Sequence, residues 1–223
     1  MIKFMVLKSI DTMKNRKLLM LGLLPLMMAC GGAEETDEST DEVDEVVEEV
    51  CTYSYNADNT ILTWTAYKLT NKTGVDGSFN EINVEANESE DMFGVLTGAT
   101  FEIPVASVNS QDDVRDPKIR DSFFGSMDST LSITGEVISI DASGATISIT
   151  MNGVSVEYQG EVKVEDETIT MNTTIDILDF DAQKSIDAIG EVCEEKHTGD
   201  DGINKFWSDV KVAVQTKLDK VCK

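Results

Sequence analysis

Alternation of apolar and polar positions is the dominant signal in the C-terminal half of the chain. Ala145, Ile147, Ile149 and Met151 fall on one face of an extended segment, with Thr146, Ser148 and Thr150 on the other. Asn152-Gly153 follows, a dipeptide suited to a tight hairpin because both residues tolerate positive φ. Val154, Val156, Tyr158, Gly160, Val162 and Val164 then oppose Ser155, Glu157, Gln159, Glu161 and Lys163. After a polar turn at 165–167, Ile169, Met171, Thr173, Ile175 and Ile177 oppose Thr168, Thr170, Asn172, Thr174 and Asp176. A period of two across three successive segments predicts a β-meander with one apolar face, and that face has to be covered.

Five further segments read as strands. They are 61–69 with Trp64 and Tyr67, 74–84 with Gly77 and Phe79, and 98–109 with Phe101, Ile103 and Val105 on one face. Segment 131–140 continues the sheet, and 206–218 closes the chain with Val210, Val212 and Val214 aligned. Residues 181–195 predict the one good helix, because Ala182, Ile186, Ile189 and Cys193 form a single stripe at helical spacing. About eight strands, mostly joined in order, give an all-β fold that closes as an antiparallel barrel or folds into a sandwich. An eight-stranded barrel is just wide enough to be filled by its own side chains or to hold one small ligand. The inward faces carry medium-sized residues, and aromatics are only 6% of the chain. A cavity fits that composition, although the pattern alone does not separate it from a filled lumen.

Between the two groups of strands lies the most basic point of the sequence, residues 114–127. Arg115, Lys118 and Arg120 alternate there with Asp116 and Asp121, and Phe123-Phe124 follows at once. Pro117 cannot donate to a β ladder, so the stretch is a connection or a short helical turn. Two readings stand side by side: local ion pairing, or a charged anchor at the rim of an apolar cavity.

The start of the chain has a different character. Lys3, Lys8, Lys14, Arg16 and Lys17 precede an apolar run over 18–28 that is too short to span a bilayer and suits a signal-peptide core. Met27-Met28-Ala29-Cys30 then resembles a bacterial lipobox, which implies cleavage after residue 29 and acylation of Cys30. The alternative is an ordinary secretory signal containing a cysteine. Residues 33–50 hold ten acids and no bases, so 30–50 is expected to be an extended, disordered tether. The folded domain is expected at 51–223. Removing 1–29 takes away five bases and Asp11, leaving 13 bases against 41 acids, a net −28 in place of −24. That balance excludes nucleic acid as a partner, because neutralising phosphates needs clustered Lys and Arg. It also disfavours docking on an anionic membrane surface. Contact with the membrane is expected through the lipid anchor instead, in the cell envelope of a bacterium, on the periplasmic or surface face of the outer membrane.

Trp64-Thr65-Ala66-Tyr67-Lys68, then Gly77-Ser78-Phe79, then Val108-Asn109-Ser110 leading into 114–124, is similar to the YceI family, with the blocks in family order over 53–218. The resemblance implies an extended lipocalin-like antiparallel barrel with an apolar lumen. Relatives bind long isoprenoid chains and are periplasmic or secreted. This chain departs from many relatives, which carry a His where it has Tyr67 or Lys68. A Cys- and His-containing insert before its last strand is a second departure.

Chemistry has little support in the sequence. His197 is the only histidine, and no nucleophile and base sit at a defensible spacing, so the protein is read as no enzyme, with no cofactor. A metal site at His197, Asp200 and Asp201 is a weak signal beside a solvated turn. Three cysteines follow Cys30, in a compartment that permits disulfides. In a closed barrel the first strand lies beside the last, so Cys51 and Cys222 arrive at the same end and are expected to bond. Cys193–Cys222 is the alternative, and Cys193 otherwise reads as a buried free thiol. The ligand contacts expected are Trp64, Tyr67, Phe79, Phe101, Arg115, Arg120, Phe123 and Phe124, with core packing the competing account of each aromatic. Two functions remain. One is a lipid-binding barrel; the other is a filled-barrel structural lipoprotein acting through its acidic surface. Whether the barrel forms a homodimer is left open.

Overall fold

The alternating segments pair as their patterns require. The computed structural model describes residues 49–128 and 130–223; the expectations for the signal peptide, Cys30 and almost all of the tether lie outside the described residues. The strands are β1 (Cys51–Ser54), β2 (Thr60–Lys68), β3 (Thr73–Phe79), β4 (Asn83–Glu85), β5 (Thr100–Pro104), β6 (Val108–Asn109), β7 (Ser132–Asp141), β8 (Gly144–Met151), β9 (Val154–Glu165), β10 (Thr168–Asp176), β11 (Phe206–Lys217) and β12 (Asp219–Cys222). Ten of them form one antiparallel sheet in the order β4-β5-β7-β8-β9-β10-β11-β2-β3-β6. The first long strand therefore lies beside the last, with Leu62 opposite Val214 and Trp64 opposite Val212.

One segment brings the two ends of this sheet together. β5 pairs with β7, placing Ile103 opposite Ile133, whereas β6 pairs with β3, placing Val108 opposite Phe79. A 3-10 turn at Val105–Ser107 lets the chain change partners. The Ser107 carbonyl accepts from the Asn80 amide at 2.8 Å beside it. The sheet is thus curled into a barrel. Residues directly opposite in an antiparallel pair share a face, so the apolar faces of β2, β8, β10 and β11 converge on one lumen. The hairpin between β8 and β9 turns on Asn152 and Gly153, both at positive φ, as that two-residue turn demands.

The structure departs from the sequence reading at its polar interruptions. The segment 74–84 divides at Asn80-Glu81 into β3 and β4, and 98–109 divides at its 3-10 turn. These divisions raise the number of strand segments above eight. A separate ribbon of β1 and β12 adds two more, with Cys51 directly opposite Cys222 and bonded to it. The unexpected helix α1 (Met92–Leu96) is capped by the Asp91 carboxylate, which accepts from the Gly94 amide, and it buries Val95 completely. Residues 115–126 form a single helical run. It opens as α2 (Arg115–Lys118), passes through a π-helical turn at Ile119–Phe123 and ends as a 3-10 turn at Phe124–Ser126. Pro117 is tolerated because it sits in the first turn, where its missing N–H has no intrahelical partner. The expected C-terminal helix is α3 (Gln183–Val192), followed after Cys193 by the short α4 (Glu194–His197). Its apolar stripe packs inward, with Ala182, Ile189 and the free thiol of Cys193 buried.

Candidate ligand-binding cavity

The lumen is hollow. It has a volume of about 750 Å³ and is partly open to solvent, inside the range of about 300–1,000 Å³ found for ligand pockets. Ordinary interiors hold few voids larger than a water molecule. The walls of the lumen are Leu62, Ile147, Ile149 and Met151, the Ile169, Met171 and Ile175 face of β10, and Val210, Val212 and Val214 of β11. These walls leave space for an apolar ligand inside the barrel.

Two wall aromatics owe their position to glycine. Trp64 lies opposite Gly77 and Phe101 opposite Gly135. A methyl group at Gly77 would overlap the Trp64 ring, with Cε2 and Cη2 both 2.6 Å away. One at Gly135 would lie 2.8 Å from Phe101 Cε1 and collide with the Ser148 carbonyl. Each ring occupies the space that a side chain on its glycine neighbour would fill. The Trp64 indole is fixed there by donating to the Ser78 carbonyl at 3.2 Å.

The helical run 115–126 covers one part of the chamber. Ile119, Phe123 and Phe124 line it. Phe124 is buried and meets Phe123 edge-on, with ring centroids 4.9 Å apart, and Phe79 at 6.4 Å. Arg115 also reaches the lining, but its guanidinium is already engaged. Nε donates to Ser110 Oγ and Nη2 to the Ser110 carbonyl, both at 2.7 Å. Asp116 accepts from the Ser110 amide at 2.8 Å and from its hydroxyl. Asp112 accepts from the Val114 and Arg115 amides at 3.0 Å, and these bonds hold its carboxyl below the usual carboxylate range. Trp64, Tyr67, Phe79, Phe101, Arg115, Phe123 and Phe124 are therefore brought together at the cavity. Arg120 stands apart from them: its Nε pairs with the adjacent Asp121 at 2.9 Å on a solvent-facing part of the helix.

Sequence reasoning singled out Lys118 but overlooked the residues gathered with it at the polar end of the lumen. Lys68, Lys118, Lys196 and His197 all belong to the lining. His197 is not in a solvated turn; it is 9% exposed and packs on Phe206 at 4.9 Å between ring centroids. Burial first, then the charges of Lys68 and Lys118, push its pKa down to about 4, so the imidazole is neutral at pH 7. Asp201 is turned elsewhere, accepting from the Thr70 hydroxyl at 2.6 Å and the Ile203 amide at 3.0 Å. The Gly and Asp residues around His197 hid its burial, because local composition there is that of a surface loop.

A curled antiparallel barrel around a large apolar chamber defines a lipocalin-like binding fold. The chain belongs to the YceI-like family: the YceI-like domain matches residues 53–218. Among solved structures it is similar to a polyisoprenoid binding domain from Saccharophagus degradans implicated in plant cell wall breakdown. That match has a TM-score of 0.52 and 16% identity, over 77% of this chain and 98% of that one. BcnA of Burkholderia cenocepacia aligns at 12% identity and a TM-score of 0.49, over 75% and 99% of the two chains. The YCEI protein of Campylobacter jejuni aligns at 16% identity and a TM-score of 0.42, over 68% and 86%. No curated protein matches the sequence.

Proposed function

We propose that this protein binds a long apolar lipid, an isoprenoid chain or a similar one, within its barrel, without catalysis. The observation that carries the reading is the 750 Å³ lumen walled by aliphatic and aromatic side chains. Burial at about 25 cal/mol per Å² of apolar surface supplies the affinity, offset by the ordering of a flexible chain. The shared fold of the Saccharophagus polyisoprenoid binding domain and the family match support the same class of ligand. The protein acts from the cell envelope of a bacterium, tethered by an acylated Cys30 and the acidic segment that follows it; the basic, apolar and lipobox-like blocks before Cys30 support that placement.

Delipidated protein titrated with geranylgeraniol and with a long polyprenol, against the fluorescent apolar probe N-phenyl-1-naphthylamine, tests the binding. Both alcohols are expected to displace the probe, and failure of both overturns the reading. Cys30→Ser is expected to move the protein from the membrane to the soluble fraction of its host. Retention in the membrane overturns the anchor.

A further inference from the structure

The apolar walls account for a lipid chain but not for the groups gathered at the α4 end of the lumen. We propose that the bound lipid carries a negatively charged head group, a carboxylate or a phosphate, seated against Lys68, Lys118 and Nδ1 of His197. This rests on the lipid-binding reading above and specifies the ligand's polar end.

Three observations converge. First, His197 is more than nine-tenths buried, lines the cavity, and has no hydrogen-bond partner for Nδ1 among the described residues. A buried polar atom without a partner is costly in an ordinary core, and a head-group oxygen in the lumen satisfies it. Second, among the described residues the lysines around it make no direct ion pair, and the lining carboxylate Asp112 feels Lys118 only at longer range. The chain has 42 acidic residues against 18 basic, yet among the described residues neither Lys68 nor Lys118 has a carboxylate within ion-pairing distance. Lys68 Nζ donates to the Lys196 carbonyl at 3.3 Å and Lys118 Nζ to the Val192 carbonyl at 2.9 Å. Each ammonium has three donors, so two remain on each. Third, the two charges act on the imidazole from different elements, Lys68 from the end of β2 and Lys118 from the end of α2. The result is a group of donors beside His197 in a chamber whose walls are mostly apolar; Asp112, the acid of the lining, is engaged by the Val114 and Arg115 amides. Arg115 is not a member, because Ser110 already holds its guanidinium.

Matched ligands test this. Hexadecyl phosphate, palmitate and hexadecanol share one chain and differ at the head, and each competes with N-phenyl-1-naphthylamine for the lumen. The protein is expected to bind at least one of the anions about tenfold more tightly than the alcohol, the worth of a charge-assisted hydrogen bond. Which anion leads assigns the head as phosphate or carboxylate. Lys68→Met with Lys118→Met is expected to collapse the anion-to-alcohol ratio toward one. His197→Gln, read by the same ratio with its melting temperature as a folding control, is expected to lower it in part. Equal affinity for all three ligands in the unmodified protein overturns the head-group site while leaving the lipid-binding reading intact. An unchanged ratio in the double-lysine variant overturns its location. Binding of none of the three overturns the lipid-binding reading and this inference with it.

Discussion

Gly77→Ala tests how the lumen is kept open. The added methyl would stand 2.6 Å from Trp64 Cε2, where ordinary carbon contacts begin near 3.5 Å. The indole has to shift by about 1 Å or more, and with the barrel wall behind it the shift is into the lumen. That movement strains the Nε1 bond to the Ser78 carbonyl, a net loss of about 1 kcal/mol. Overpacking adds about 1–3 kcal/mol. The reduced backbone freedom of the unfolded alanine chain offsets about 0.4–1 kcal/mol, so the net cost is about 1–4 kcal/mol. A ligand that loses one or two buried methylenes to the displaced ring binds about four- to fifteenfold more weakly. Urea unfolding and displacement of N-phenyl-1-naphthylamine by geranylgeraniol measure the two effects. Gly190→Ala is the control, because a methyl there meets nothing within 4 Å, and it is expected to stabilise α3 by up to about 1 kcal/mol. If Gly77→Ala leaves both the unfolding midpoint and the affinity unchanged, the ring does not rest on the glycine and this account of the open lumen is wrong.

Reducing the Cys51–Cys222 bond, which spans 171 positions, is expected to lower stability by about 5 kcal/mol in the chain-entropy model; an unfolding midpoint indifferent to reductant contradicts this. Phe124→Ala removes a buried ring and should cost about 3–5 kcal/mol. Phe123→Ala, at a half-buried ring on the lining, should reduce ligand affinity at a smaller cost in stability, and the reverse ranking in urea refutes the packing assigned to the pair. His197 has a folded pKa of about 4, below its unfolded value of about 6.5. Its contribution is therefore complete above pH 6.5 and lost as pH falls through 4, by about 1–3 kcal/mol. His197→Gln should flatten the stability curve between pH 4 and 6.5, and a curve parallel to that of the unmodified protein would falsify the buried neutral imidazole.

The barrel walls were legible because a period of two is a local property. The faces read at Ile147, Ile149 and Met151, at 169–177 and at Val210, Val212 and Val214 line the lumen, whereas Val154, Val156, Tyr158 and Val162 of β9 pack against the core cluster instead. Closure put Cys51 beside Cys222 for the same topological reason that put β2 beside β11. What stayed hidden depends on register and distant packing. The pairing of Trp64 with Gly77 is set by which residues stand opposite across two strands, and neither residue signals it alone. His197 sits among residues typical of exposed turns, and only the packing of α4 on Phe206 takes it inside. The charges of 114–127 supported two readings: local pairing is realised at Arg120 and its neighbour Asp121, and Lys118 reaches the cavity lining, where the anchor reading would need a charge.

The measurement that bears most directly on the central claim is mass spectrometry of the protein purified from its host without detergent. Under native conditions the account expects an added mass that disappears on denaturation and partitions into organic solvent as a lipid. A bare protein that also takes up neither a polyprenol nor an acyl-chain probe would contradict it.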